Sequence, residues 1–172
     1  EEMNRLGMIV DLSHAGKQTC LDAIEVSNKP VAISHANPNF FHKSKRNIDT
    51  DILQKLVKKN GFIGLSLYPY HLKNLGDCTI EDFCEMIKEL VNLIGEDNIG
   101  IGSDLCLNWP DNVVMWMRNG KWTKNIDYGE SKDKNPKWPK LPSWYKQPSD
   151  LNNLFYLLCE NNIPEKVSTK II

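Results

Sequence analysis

Met8–His14 (MIVDLSH) and its echo Val31–His35 (VAISH) decide how the chain is read. Each is a short apolar run that ends in Ser-His. A run of four or five apolar residues reads as a buried parallel strand, and its last residue emerges at the strand's carboxyl end. In open and closed parallel α/β folds, ligands and catalytic groups gather at that end. A third run, Ile99–Asp104 (IGIGSD), finishes the same way, with an acid in place of the histidine. Two histidines and one carboxylate, each topping its own strand, suggest a metal site, because neutral imidazole is the commonest protein ligand for such ions.

Working outward, Lys17–Val26 carries Cys20, Leu21 and Ile24 at helical spacing, and Asn28-Lys29-Pro30 stops it. A polar loop over 36–47 holds His42, Lys43, Lys45 and Arg46. Asp49 or Thr50 then caps a helix with an apolar face of Ile52, Leu53, Leu56 and Val57, closed by Gly61. Phe62–Leu67 is a further strand. Thr79, with Asp82 three residues on, opens a helix over Ile80–Ile94 that Gly95 ends, and Ile99–Ser103 is the fourth strand. Strand–helix alternation repeated four times implies a parallel sheet with right-handed crossovers. It fits half of an eight-fold βα-barrel as well as an open sheet.

Past Asp104 the periodicity fails for about 40 residues, longer than an idle loop. This stretch is rich in Trp, Pro, Lys and Asn, with a short helix expected over Asn112–Arg118. Its tryptophans, from Trp109 to Trp144, suit either a lid or packing on the rim. Two helices, Asp150–Glu160 and Pro164–Ile172, complete the pattern. The expectation is one domain piece over 1–172 with a long Trp-rich loop at about 105–148.

The 172 residues carry 21 Lys+Arg against 22 Asp+Glu, a net charge of −1 with no basic stripe, which argues against a nucleic-acid partner. Five cysteines, odd in number and without a CxxC, argue against a disulfide framework and a structural zinc knuckle, and favour a reducing compartment. No run approaches the length of a membrane span, and no signal peptide or membrane association is visible. The opening EEMNRLG reads as the end of a helix closed by Gly7, and VSTKII stops inside another. The expectation is therefore an internal piece of a longer chain. Half a barrel leaves two long edges bare, so the other half would come from the missing sequence. Localisation leans to the cytoplasm, with a periplasmic or membrane-anchored full-length protein left open.

On the residues alone, His14 and His35 are metal ligands or loop histidines, and Asp104 is a ligand, a general base beside a metal-held water, or a loop cap. Arg46 reads as a solvated loop charge beside Lys43 and Lys45. His71, in YPYHLK, is a candidate to face the same mouth. Cys106 is a candidate soft ligand or an inert thiol.

The segments DLSH (Asp11–His14), ISHAN (Ile33–Asn37), KRNIDTDIL (Lys45–Leu53) and IGSD (Ile101–Asp104), in this order and spacing, resemble the membrane (renal) dipeptidase family of zinc peptidases. The Trp-rich segment Asn108–Glu130 looks like that of a bacterial-type branch. The resemblance implies a TIM-type (β/α)8 barrel of the metal-dependent hydrolase superfamily, with this chain as roughly its C-terminal half. It also implies two Zn²⁺ ions per complete site and a dipeptide substrate, with a homodimer as a candidate assembly. By position, His14 and His35 match the ligands of one zinc. Arg46, eleven residues past His35, matches the arginine that grips the substrate's terminal carboxylate. Asp104 matches the acid that exchanges a proton with the water between the metals. The family's remaining ligands would precede residue 1, so this piece alone is expected to be inactive. Ser103–Asn108 reads SDLCLN where many members have SDFDG, which bears on substrate preference. Two other readings are another amidohydrolase-like hydrolase (a lactonase or deacylase) and a non-catalytic barrel homologue serving as a binding module.

Overall fold

The computed structural model describes residues 1–108, 110–113 and 138–172. They fall into two compact units, Glu1–Leu105 with Leu141–Ile172, and Cys106–Lys140. The larger unit holds four strands, β1 (Val10–Asp11), β2 (Val31–Ala36), β3 (Phe62–Leu65) and β4 (Ile99–Ile101). They form one parallel sheet in the sequential order β1-β2-β3-β4. A short helix, α1 (Glu2–Arg5), precedes β1; α2 (Lys17–Val26), α3 (Thr50–Lys58) and α4 (Ile80–Ile94) link successive strands. α5 (Leu151–Glu160) and α6 (Glu165–Ile171) follow near the end.

The helices form where the apolar period and the caps place them. In α4, the buried residues Phe83, Cys84, Met86, Ile87, Leu90 and Ile94 make one face. The Asp82 amide donates to Thr79 Oγ1 at 3.1 Å, and Gly95 ends the helix at a φ of 80°. α3 differs from expectation at its start. Asp49 holds the cap position, but its carboxylate makes no cap bond. It accepts instead from Lys17 Nζ at 2.9 Å and Asn39 Nδ2 at 2.6 Å, so a charged partner outcompetes the helix amides. Gly61 is required by space: a Cβ there would lie 2.5 Å from the Val31 carbonyl oxygen.

β1, β3 and β4 are shorter than the apolar runs, and β2 is longer. In β1 only Val10 and Asp11 pair with β2, opposite Val31 and Ala32. Met8 and Ile9, expected within the strand, are exposed, and the chain turns at Ser13 before His14. β2 runs one residue past His35. Three residues there (34–36) span the distance that two cover on β3, since Ile33 faces Ile63 and Ala36 faces Leu65. This extra residue is a β-bulge at Ser34-His35, a device that re-aims side chains.

The core is one cluster in which Ile33, Ile63 and Leu65 of the sheet meet helical Leu53, Leu56, Ile87, Leu90, Leu154 and Leu158. Trp144 is buried beside Phe83, and its indole N–H donates to the Cys78 carbonyl at 2.8 Å, tying the segment before α5 to the unit. That tryptophan is core. In the second unit, residues 111–113 are helical; the rest of the helix expected over Asn112–Arg118, together with Trp109, Trp116 and Trp122, lies outside the described residues.

Candidate functional site

The tips of β1 and β2 bring His14 and His35 together. Their Nε2 atoms stand 3.1 Å apart, with the rings edge to face. Two nitrogens that each bind a tetrahedral zinc at 2.0–2.1 Å are about 3.3 Å apart, so the separation suits two ligands of one ion. Among the described residues no three His, Cys, Asp or Glu side chains converge to complete a metal site. The pair is a partial donor set with fitting chemistry and spacing.

What fixes His35 is a knot of hydrogen bonds around Asp11. Its Oδ1 accepts from the Ser13 amide (3.1 Å), the Ser13 hydroxyl (2.7 Å) and the Ser34 amide (3.0 Å). Its Oδ2 accepts from the Ser34 hydroxyl at 2.5 Å. Partial burial pushes this carboxyl up, but the bonds from Ser34 and Ser13 outweigh it and hold the value down at about 2. The His35 amide donates to Ser13 Oγ at 3.1 Å, and His35 Nδ1 lies 2.9 Å from Ser34 Oγ. The bulge frees the amides of Ser34 and His35 for these bonds. The repeated Ser-His was the only hint of this in the sequence, which left Asp11, Ser13 and Ser34 without roles.

Arg46 reaches the same place from the 38–48 loop. Its guanidinium donates from NH2 to His14 Nε2 at 3.1 Å and from NH1 to the Ser13 carbonyl. Burial, then the charge of Arg46 and the neighbouring His35, lower the pKa of His14, while Asp104 and Asp11 pull the other way. The balance favours neutral imidazole, the form that ligates metal. Arg46 is placed by buried asparagines. The Asn47 amide group donates to the carbonyls of His42 (2.7 Å) and His71 (3.0 Å), and its oxygen accepts from the Asn37 amide at 3.1 Å. Asn37 Nδ2 donates to the carbonyls of Ser66 and His71, clamping β2 to the loop after β3.

Asp104 lies just past β4 with a φ of 52°, a left-handed conformation that Asp tolerates better than most residues. Its charge acts on His14, which puts it within electrostatic reach of the pair. His71 does not open into a mouth. It is 3% exposed, its Nδ1 bonds Ser66 Oγ at 2.8 Å, and burial pushes its pKa down to about 3. A short strand followed by a 3-10 turn folds it inward, where two asparagines use its carbonyl. Cys106 begins the second unit and is half-buried.

Comparison with known proteins gives these arrangements a context. A model of the membrane dipeptidase family (peptidase family M19) matches residues 1–111. An uncharacterized dipeptidase of Schizosaccharomyces pombe is 35% identical over 105 residues, 60% of this chain and 25% of its own. The dipeptidase tcpJ of Claviceps purpurea is 32% identical over 139 residues, 73% of this chain and 33% of its own. Among solved structures, an amidohydrolase from Pseudomonas aeruginosa superposes with a TM-score of 0.85 at 32% identity, over 99% of this chain and 50% of that one. A metallopeptidase from Rhodobacter sphaeroides, solved with a phosphinate mimic of the dipeptide L-Ala-D-Ala, shares the fold at a TM-score of 0.74 and 21% identity, covering 99% and 41%. The chain spans a third or less of the curated relatives it matches.

Proposed function

The chain belongs to the membrane dipeptidase family of peptidases, and from that premise we propose that its chemistry is the zinc-dependent hydrolysis of dipeptides. The observation that carries this is the meeting of two imidazole nitrogens, His14 Nε2 and His35 Nε2, at 3.1 Å on neighbouring strand tips. On this reading the two histidines hold one metal. Among the described residues no further donor joins them, so on this reading the ligands that complete the site would come from elsewhere. A bound zinc would supply a water acidified toward neutral pH and would polarise the scissile carbonyl. Asp104 takes a proton from the attacking water and delivers it to the leaving amine. Arg46, a planar and always-charged fork, pairs with the substrate's terminal carboxylate and so registers the peptide bond.

The same reading extends to the fold. Sequential strand order supports a TIM-type (β/α)8 barrel of which this chain supplies about half, because an open doubly wound sheet reverses its order at a switch point. Strong curvature agrees: a Cβ at Gly64 or at Gly102 would run into the same Ser34 carbonyl oxygen, at 2.1 and 1.7 Å.

The test uses the full-length protein. Wild type should retain zinc and hydrolyse dipeptides, and Asp104→Asn should keep the metal while kcat falls by about 10²–10⁴-fold, the usual contribution of a general base. Arg46→Lys should chiefly raise KM, since the charge survives but the fork does not. A zinc-loaded protein that cleaves no dipeptide would replace this reading with a non-catalytic homologue.

A further inference from the structure

We propose that Asp11, acting through the Ser34 hydroxyl, is a positioning residue that holds His35 as the tautomer with its proton on Nδ1 and its lone pair on Nε2. The inference rests on the reading of His35 as a metal ligand. It follows from counting protons along one chain of contacts.

Ser34 has a single hydroxyl proton and two neighbours that compete for it. Asp11 Oδ2 is 2.5 Å away and His35 Nδ1 is 2.9 Å away. Two oxygens at 2.5 Å need a proton between them, and an ionised carboxylate has none to give. Four donors converge on Asp11, two amides and two hydroxyls, and they keep it ionised well below neutral pH. The Ser34 proton therefore goes to Asp11, and the contact with His35 can be made only if Nδ1–H donates to Ser34 Oγ. Ser13 offers no escape: its Oγ sits 3.0 Å from Ser34 Oγ, accepts from the His35 amide and has a carboxylate oxygen at 2.7 Å for its own proton.

In the neutral ring, a proton on Nδ1 leaves a bare lone pair on Nε2, directed toward His14 Nε2. That nitrogen also accepts, since the Arg46 guanidinium beside it can only donate. Two lone pairs facing each other at 3.1 Å are favourable only when a cation is near. Asp11 and Ser34 thus do at one remove what a carboxylate does when it bonds a ligating histidine directly, fixing the tautomer and the ring. An amide in place of Asp11 would present an NH2 to one side of the knot. The Ser34 hydroxyl could then turn to donate to His35 Nδ1, moving the ring proton to Nε2, where it blocks a metal.

The experiment is nitrogen-15 NMR of the full-length protein labelled at histidine, stripped of metal, with zinc affinity measured by chelator competition on the same samples. Two-bond nitrogen–proton couplings identify which ring nitrogen carries the proton. Wild type should show His35 protonated on Nδ1. Asp11→Asn and Ser34→Ala should lose that state and bind zinc about 10–100-fold more weakly, the range typical of an outer partner of a metal ligand. Ser34→Thr, which keeps the hydroxyl, should restore both. Protonation on Nε2 in wild type, or zinc affinity unchanged in Asp11→Asn and Ser34→Ala, would overturn the proposal while leaving the metal site intact. Wild type that takes up no zinc would overturn the metal-site reading itself, and this inference with it.

Discussion

Replacing Gly102 with alanine would place a methyl group 1.7 Å from the Ser34 carbonyl oxygen and 2.9 Å from its carbonyl carbon. Both are backbone atoms, so no side-chain rotation relieves the clash. The carbonyl must withdraw by more than about 1 Å to reach even a tight contact. Ser34 is not free to do so, because its amide and its hydroxyl are both bound to Asp11. The strain is therefore shared between β2, β4 and the Asp11 knot. Overpacking of this kind costs about 1–3 kcal/mol. His35 is the next residue, so a shift of Ser34 also displaces its ring from His14. A misplacement of about 1 Å in a reacting constellation can cost about 100-fold in rate. The assay is urea unfolding and chelator-competed zinc binding of full-length Gly102→Ala, with Gly100→Ala as an internal control. Gly100 lies two residues earlier, within β4, but its nearest obstacle is the Ile171 carbonyl oxygen at an ordinary 3.8 Å. Gly102→Ala should lower stability and weaken zinc binding at least tenfold, while Gly100→Ala changes neither appreciably. Equal behaviour of the two variants would refute the reasoning that links sheet curvature to the histidine pair.

Two further outcomes follow from burial and capping. His71 has a folded pKa near 3 against an ordinary 6.5, so it is neutral in the folded chain and takes a proton first in the unfolded one. The stability its neutral state contributes is complete above about pH 6.5 and is lost as pH falls toward 3, at up to about 1.4 kcal/mol per unit. His71→Gln should flatten that acid limb between pH 6 and 4 in unfolding curves, and an unchanged slope would contradict the placement. Thr79→Ala removes the acceptor for the Asp82 amide and should lower the unfolding free energy by about 1 kcal/mol. Thr79→Ser should recover most of the loss, and equal stability of all three would show the cap to be idle.

Much of the molecule was legible in the residues. The apolar period placed α2 at Lys17–Val26 and α4 at Ile80–Ile94, and the Ser-His echo marked the two strand tips that meet. These are local signals: a helix face repeats within a turn or two, a cap lies three residues from its amide, and a buried strand is a short apolar run. The family resemblance carried Arg46, which composition alone would have left as a loop charge, and the tertiary structure seats it against His14. His71 went the other way. Its distance in sequence from a strand end suited a site residue, yet the turn folds it inward onto Ser66.

What only the tertiary structure decided is how residues more than 20 positions apart share hydrogen bonds. The bulge at Ser34-His35 depends on the register between β2 and β3. The Asp11 knot depends on β1 stopping where it does, and the glycine contacts depend on sheet curvature. A sequence names donors and acceptors, but a hydroxyl has one proton, and its direction is settled by whichever partner the fold brings closest. The sequence by itself therefore determined which side chains stand at the strand tips, while packing between strands determined which partners surround the His35 ring, with Ser34 Oγ at Nδ1 and His14 at Nε2.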